Sequence, residues 1–211
     1  LRGRWRRVIG ERFLWMRLAG FIDSGWAPPV LSSRSMKREI WLPFLLAFVL
    51  PLLLLYAWWG GFAAVEISPA VRGPYTYAYL EQTGDYAKLP DLELKAEQAF
   101  RAQGIALGRP ITVLLSNPDT VIVTQRRARV GYEVAPDTRV EAPLAMATVP
   151  SRSVLEVRVQ AGRALAPGRA YAALDAYLQA QGRGIVMPTV EHYQPAQTRY
   201  RMGVFTVEMD Q

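Results

Sequence analysis

The stretch from Ile40 to Val65, IWLPFLLAFVLPLLLLYAWWGGFAAV, holds 26 residues and no Asp, Glu, Lys, Arg or His. A helix rises about 1.5 Å per residue, so roughly 20 apolar residues cross the hydrocarbon core of a bilayer. No side of this run is polar enough to face water, which argues against the core helix of a soluble domain. A transmembrane helix over 40–65 is therefore predicted. It separates a basic segment, 1–39, from a 146-residue remainder, 66–211, the usual size of one domain with one core.

The flanks orient the span. Trp41 stands at one end and Tyr56, Trp58 and Trp59 at the other, where aromatic rings favour the two headgroup levels. Pro43 and Pro51 are tolerated inside membrane helices, although each costs a water-exposed helix about 3 kcal/mol. Lys37 and Arg38 precede the run and Glu66 is the first charge after it. This asymmetry predicts an inner-membrane, single-pass chain with its N-terminus in the cytoplasm and its globular part outside, which in a Gram-negative cell is the periplasm. A cleavable signal is the competing expectation, because Gly61-Phe62-Ala63-Ala64 offers small residues. The length of the run and the bulk of Trp58 and Trp59 favour the uncleaved anchor. Residues 1–35 mix Arg with Trp, Phe and Leu and are expected to be upstream or weakly structured sequence. Met36-Lys37-Arg38 forms a short basic start before the apolar run; a basic segment lying on anionic lipid is the alternative.

Charge and composition exclude several functions. The net charge is +7, but residues 1–39 carry nine basic and three acidic side chains, leaving 16 against 15 in the rest. A nearly neutral domain lacks the field that gathers phosphates, so no nucleic-acid partner is expected. Without Cys there is no disulfide, thiolate nucleophile or Cys-based zinc site, and one histidine, His192, cannot build a multi-histidine metal centre. No metal and no cofactor are expected.

The globular part alternates strand and helix patterns. Thr76–Leu80 reads as a strand, and Leu89–Gln103 as a helix with Leu92, Ala96, Ala99 and Phe100 in register. Ile111–Leu115 and Ala128–Val134 read as two further strands. The order then recurs: strand Val154–Val159, helix Tyr171–Gln181 with Tyr171, Leu174, Tyr177 and Leu178 on one stripe, then strands Val186–Tyr193 and Arg201–Val207. An α+β fold of duplicated β-α-β-β units, about 70–140 and 150–209, is predicted, with a pseudo-twofold relation and a central cleft where the halves meet.

Several segments carry a resemblance: YLEQTGDYAKL (Tyr79–Leu89), SNPDT (Ser116–Thr120), RVGYEVAPD (Arg129–Asp137), AYAALDAYLQAQG (Ala170–Gly182) and PTVEHY (Pro188–Tyr193). In order and spacing the domain resembles the GyrI-like small-molecule-binding domain, also the effector-binding part of AraC- and MerR-type regulators. The resemblance covers roughly Ser68 to Met209. It implies a ligand cavity between the two units and a glutamate of the E-x-Y strand, here Glu191, projecting into an aromatic pocket. In regulators that carboxylate faces cationic, planar, apolar ligands; some free-standing members hydrolyse genotoxic natural products. Gly162-Arg163-Ala164-Leu165 departs from the usual Gly-x-Tyr, and no helix-turn-helix precedes the domain.

Glu191 is thus the first candidate, as an anchor for a cationic ligand or a general base. Burial among aromatics would raise its pKa; the plain alternative is an ion pair with Arg199 or Arg201. Tyr77, Tyr79, Tyr86, Tyr132 and Tyr193 are the candidate ligand-binding aromatics, with Tyr75 sharing one strand face with Tyr77 and Tyr79. Packing in the core is the alternative for each. His192, adjacent to Glu191, must face the other way on a regular strand. Gln125-Arg126-Arg127 reads as a solvated basic loop, and Asp119 as a turn residue. Three functions follow: a membrane-anchored protein capturing a hydrophobic or cationic small molecule, a hydrolase of electrophilic xenobiotics with Glu191 as base, or a protein-interaction module at the membrane. Haem binding, through the distantly similar SOUL fold, is a minor alternative.

Overall fold

Eight antiparallel strands form one sheet in the order β1-β6-β8-β7-β3-β4-β2-β5. The structure, a computed structural model, describes residues 36–198 and 201–211. The expectations for residues 1–35 lie outside them. Helix α1 runs Met36–Trp58, followed by β1 (Val65–Arg72), β2 (Tyr75–Thr83), α2 (Leu89–Ala102), β3 (Pro110–Leu114) and β4 (Arg127–Glu133). Strands β5 (Ala145–Val149) and β6 (Arg152–Gln160), helix α3 (Ala166–Gln179), and strands β7 (Thr189–Gln194) and β8 (Val204–Asp210) complete the chain. Within α1, Trp41–Trp58 is long and apolar enough to cross a membrane, and none of it is buried. The helix stops at Trp58; Val65, placed in the apolar span by sequence, already belongs to β1.

The sheet must roll. β1 and β5 are its two edges, yet only Gly73-Pro74 joins β1 to β2, and only Pro150-Ser151 joins β5 to β6. Two residues span under about 10 Å, whereas strands lie about 4.8 Å apart, so the two ends of the sheet have to approach each other. The links do meet: Gly73 has φ +87°, and a Cβ there would lie 2.6 Å from the Pro150 carbonyl oxygen. Gly131 lets the sheet bend on β4, since a Cβ there would lie 1.8 Å from the Ala78 oxygen of β2. The roll brings the Tyr75 hydroxyl of β2 within 2.8 Å of Glu208 Oε1 on β8, four positions away in the sheet.

The inner face of the roll holds Tyr77, Ile111, Val113 and Val190, all nearly inaccessible. The outer face carries both helices. Leu174 and Leu178 of α3 pack on Val157, Val159, Phe205 and Val207. Ala96 and Phe100 of α2 pack on Ala78 and Tyr132, with the Phe100 and Tyr132 rings edge to face at 5.2 Å. Each large side chain so buried contributes about 1.5–3 kcal/mol. Tyr177, placed by its spacing on the apolar stripe of α3, is instead 41% exposed. Helix α3 also begins five residues before the expected Tyr171, with a proline in its first turn. From the central β3–β7 pair outward, the strands run β3-β4-β2-β5 on one side and β7-β8-β6-β1 on the other.

Candidate ligand-binding site

Glu191 and His192 are neighbours on β7 and face opposite ways. Glu191 pairs with Thr112 and Val207 across the sheet and points to the helix side; His192 pairs with Ile111 and Thr206 and points into the roll. Helices α2 and α3 pack on the two flanks of the outer face, α2 over β2 and β4 and α3 over β1, β6 and β8, with a gap between them at the central β3–β7 pair into which Tyr171 of α3 reaches. A cavity of about 780 Å³ occupies that gap. Its floor includes Thr112, Val130, Glu191 and Tyr193. Pro90 and Leu94 of α2 form one wall; Arg163, Ala164, Pro167 and Tyr171 form the other.

The Glu191 carboxyl is half-buried, facing the cavity on one side and packed in protein on the others. The Tyr171 hydroxyl donates to its Oε1 at 2.7 Å and lies 2.8 Å from Thr189 Oγ1, itself fully buried. Among the described residues no Lys or Arg forms an ion pair with Glu191; Arg199, one partner considered from sequence, lies outside them. Burial lifts the carboxyl pKa to about 7, and the Tyr171 hydrogen bond only partly opposes this. The Tyr171 phenol is itself driven well above its ordinary value, first by burial and then by the adjacent Glu191. Near neutral pH the site is poised between an acid and a carboxylate, without a cation of its own in contact.

Tyr86 and Tyr193 line the cavity with Glu191. The Tyr86 hydroxyl donates to the carbonyls of Ser116 (2.8 Å) and Arg127 (2.9 Å), which fixes its ring at the cavity's end. Tyr193 carries the Arg163 guanidinium 5.4 Å over its ring, and Arg163 also pairs with Glu93 of α2. Arg163 thus bridges the two walls, and Ala164 stands where the Gly-x-Tyr of the resemblance leads one to expect an aromatic side chain.

Tyr77, Tyr79 and Tyr132 stand apart from this cavity. Tyr77 and Tyr79 share a face, but it is the inner face of the roll: Tyr77 packs with Ile111 and Val190, and Arg129 lies 4.7 Å over Tyr79. Tyr132 is on the outer face, beneath α2 against Phe100. Alternation alone could not say which face of β2 meets the helices. Tyr171 and Thr189, which stand against Glu191, were not among the candidates read from sequence. Tyr171 was read only as part of an apolar stripe, and its contact with Glu191 depends on how α3 lies over the sheet. Arg126 and Arg127 are not simply solvated: Arg126 donates to the Val121 carbonyl at 3.0 Å, and Arg127 pairs with Glu81.

His192 is held neutral inside the roll. Its Nδ1 lies 3.2 Å from the Pro110 carbonyl, which can only accept, so Nδ1 carries the proton. Burial, then the positive charge of Arg109, depress its pKa to about 4. It edges onto the Tyr75 ring at 5.1 Å and has no access to the cavity.

No protein-family model matches the chain, and no curated protein matches it. Solved structures do. The EcmrR C-terminal domain is similar with a TM-score of 0.55 at 10% identity, over 69% of this chain and 96% of that one. EcmrR in its DNA complex is similar over 82% of this chain and 67% of its own, with a TM-score of 0.54 at 11% identity. SAV2435 bound to tetraphenylphosphonium follows with a TM-score of 0.52 at 12% identity, over 68% and 92%. At these identities the likeness defines a fold. It is an α+β domain on an eight-stranded antiparallel sheet, matching the GyrI-like fold that the sequence resembles.

Proposed function

We propose that this chain is a membrane-anchored small-molecule-binding protein that captures a hydrophobic cation in the cavity around Glu191. The observation that carries this is a half-buried carboxyl, without a paired Lys or Arg among the described residues, at the floor of an apolar cavity of about 780 Å³. A cationic ligand supplies the missing charge, and Tyr86 and Tyr193 supply aromatic surface. SAV2435, which shares the fold, was solved bound to tetraphenylphosphonium. The matching strand order on either side of the β3–β7 pair supports reading the domain as two duplicated β-α-β-β units with the cavity at their junction. The apolar helix supports an anchor, with the domain on the side of the membrane opposite the basic N-terminal flank. Capture at the envelope fits this arrangement better than gene control. The test is calorimetric titration of the detergent-solubilised chain with tetraphenylphosphonium at pH 8. Binding is expected, and Glu191→Gln is expected to weaken it more than tenfold; equal binding by both proteins would refute the role of the charge.

A second reading rests on the same carboxyl. With a pKa of about 7 and a phenol in contact, Glu191 is matched to general-base activation of a water attacking an electrophilic ligand. Several turnovers with excess substrate would establish it; a stop after one equivalent leaves capture alone.

A further inference from the structure

The end of the apolar helix is fixed to the wall of the cavity. After Trp58 the chain leaves the helix, and the Trp59 carbonyl accepts a hydrogen bond from the Gly162 amide at 2.8 Å. The Arg169 guanidinium donates to the Gly60 carbonyl. Gly60 has φ +82°, and a Cβ there would lie 2.6 Å from the Gln160 oxygen and 2.8 Å from the Ala161 Cα, so the two backbones approach as closely as glycine permits. The segment gripped in this way joins β6 to α3, and its next two residues, Arg163 and Ala164, already line the cavity. Both are exposed, as are Pro90 and Leu94 across from them, which puts the mouth on this side. Two residues of chain cover less than about 8 Å.

A bilayer's headgroup layer adds roughly 5–8 Å on each side of its hydrocarbon core. With Trp58 and Trp59 at that level, the mouth opens at or just above the headgroups rather than in bulk water. On its rim Leu94 is 58% exposed beside the Arg163–Glu93 pair, and Phe62, in the segment that leads from the helix to β1, is 69% exposed. An amphiphilic cation in a membrane holds its charge at the headgroups and its tail in the core. Its head is therefore already at the height of the mouth.

We infer that the cavity is loaded from the bilayer, and that its ligands are membrane-partitioned amphiphilic organic cations that enter head first between Leu94 and Ala164. This rests on the ligand-binding reading above and adds the route by which the ligand arrives. Ligand at equilibrium has one chemical potential in lipid and water, so the route shows in rates and not in affinities.

The full chain in phosphatidylcholine vesicles is tested with methyl- and dodecyl-triphenylphosphonium by stopped flow. Inserting about twenty Gly/Ser residues between Trp58 and Trp59 adds a flexible span of roughly 25 Å and leaves the Trp59–Gly162 contact on the domain side. The association rate of the dodecyl probe is expected to fall at least tenfold, that of the methyl probe to change less than twofold, and both equilibrium affinities to stay the same. An unchanged dodecyl rate, with the methyl probe still binding, overturns loading from the bilayer and leaves the binding site intact. Failure of either probe to bind the native chain overturns the ligand-binding reading, and this inference with it. If the insertion abolishes methyl binding through misfolding, the native chain decides. Its association rate per aqueous concentration should climb with alkyl length in step with partitioning, and a rate independent of tail length refutes the route.

Discussion

Replacing Glu191 by glutamine should stabilise the folded chain, by an amount that depends on pH in a defined way. The carboxyl moves from an ordinary 4.5 to about 7 on folding because the protein around it replaces water. Below about pH 4.5 it is neutral in both folded and unfolded chains and contributes no difference. Between 4.5 and 7 the unfolded chain ionises while the folded chain keeps its proton, so stability falls as pH rises. Above 7 the folded chain ionises too, and the full penalty remains. At 1.36 kcal/mol for each tenfold change in proton affinity the penalty is roughly 3 kcal/mol, an upper bound because water in the cavity solvates part of the charge. Glutamine has the shape of the neutral acid, and its amide oxygen accepts the Tyr171 hydroxyl in place of Oε1. Urea unfolding of both proteins, followed by circular dichroism from pH 4 to 8.5, should give equal stabilities at the acid end. The variant should gain roughly 2–3 kcal/mol at the alkaline end. The difference between the curves isolates this one group. A difference that does not vary with pH, or a variant weaker throughout, would refute the account of an unpaired half-buried carboxyl.

Three further outcomes follow from the same geometry. Tyr171→Phe removes the hydrogen bond that, among the described residues, favours the ionised carboxyl, and strands Thr189, so stability should fall by about 1–3 kcal/mol and the pH midpoint of cation binding should move above 7, read by titration across pH. Arg163→Ala frees the Tyr193 ring and the Glu93 carboxylate at the mouth, so tetraphenylphosphonium should bind several-fold tighter in the same titration, while an unchanged or weaker affinity would mean that Arg163 does not compete with the ligand. Gly73→Ala forces a side chain into a left-handed residue against the Pro150 carbonyl at 2.6 Å, and should lower stability by about 1–3 kcal/mol in urea.

Much of the fold was legible because the pattern was local. The periods of Leu92, Ala96 and Phe100, and of Leu174 and Leu178, follow the outer-face contacts of α2 and α3 directly. Strands β1 and β5 were not legible. Ser68-Pro69 reads as a break, yet it lies inside β1, where an edge strand tolerates the missing donor of a proline. β5 is five residues at the opposite edge with two alanines, too short and too weak in β-formers to stand out. Without those two strands the roll is invisible, because the roll follows from how few residues join them to β2 and β6. The face of the tyrosines depended on the same step. Tyr75, Tyr77 and Tyr79 were recognisable as one face, but only the position of the helices decides that it is the inner one.

The two titratable groups of β7 show how one strand separates structure from binding. Glu191 and His192 are consecutive and both largely withdrawn from water, and burial is the first cause of both displaced titrations, upward to about 7 and downward to about 4. Their consequences differ because of what surrounds them. Inside the roll, His192 meets the Pro110 carbonyl, the Tyr75 ring and, at 3.7 Å, the buried Glu208, while its Nε2 has no hydrogen-bond partner among the described residues. On the other side, Glu191 meets one phenol and a largely apolar cavity. An imidazole kept neutral by its surroundings is structural; a carboxyl whose charge is disfavoured by burial, with no cation paired to it among the described residues, responds to a cation that fits the space. Strand alternation assigns the two residues to the two environments, and the gap between α2 and α3 makes only one of them a site.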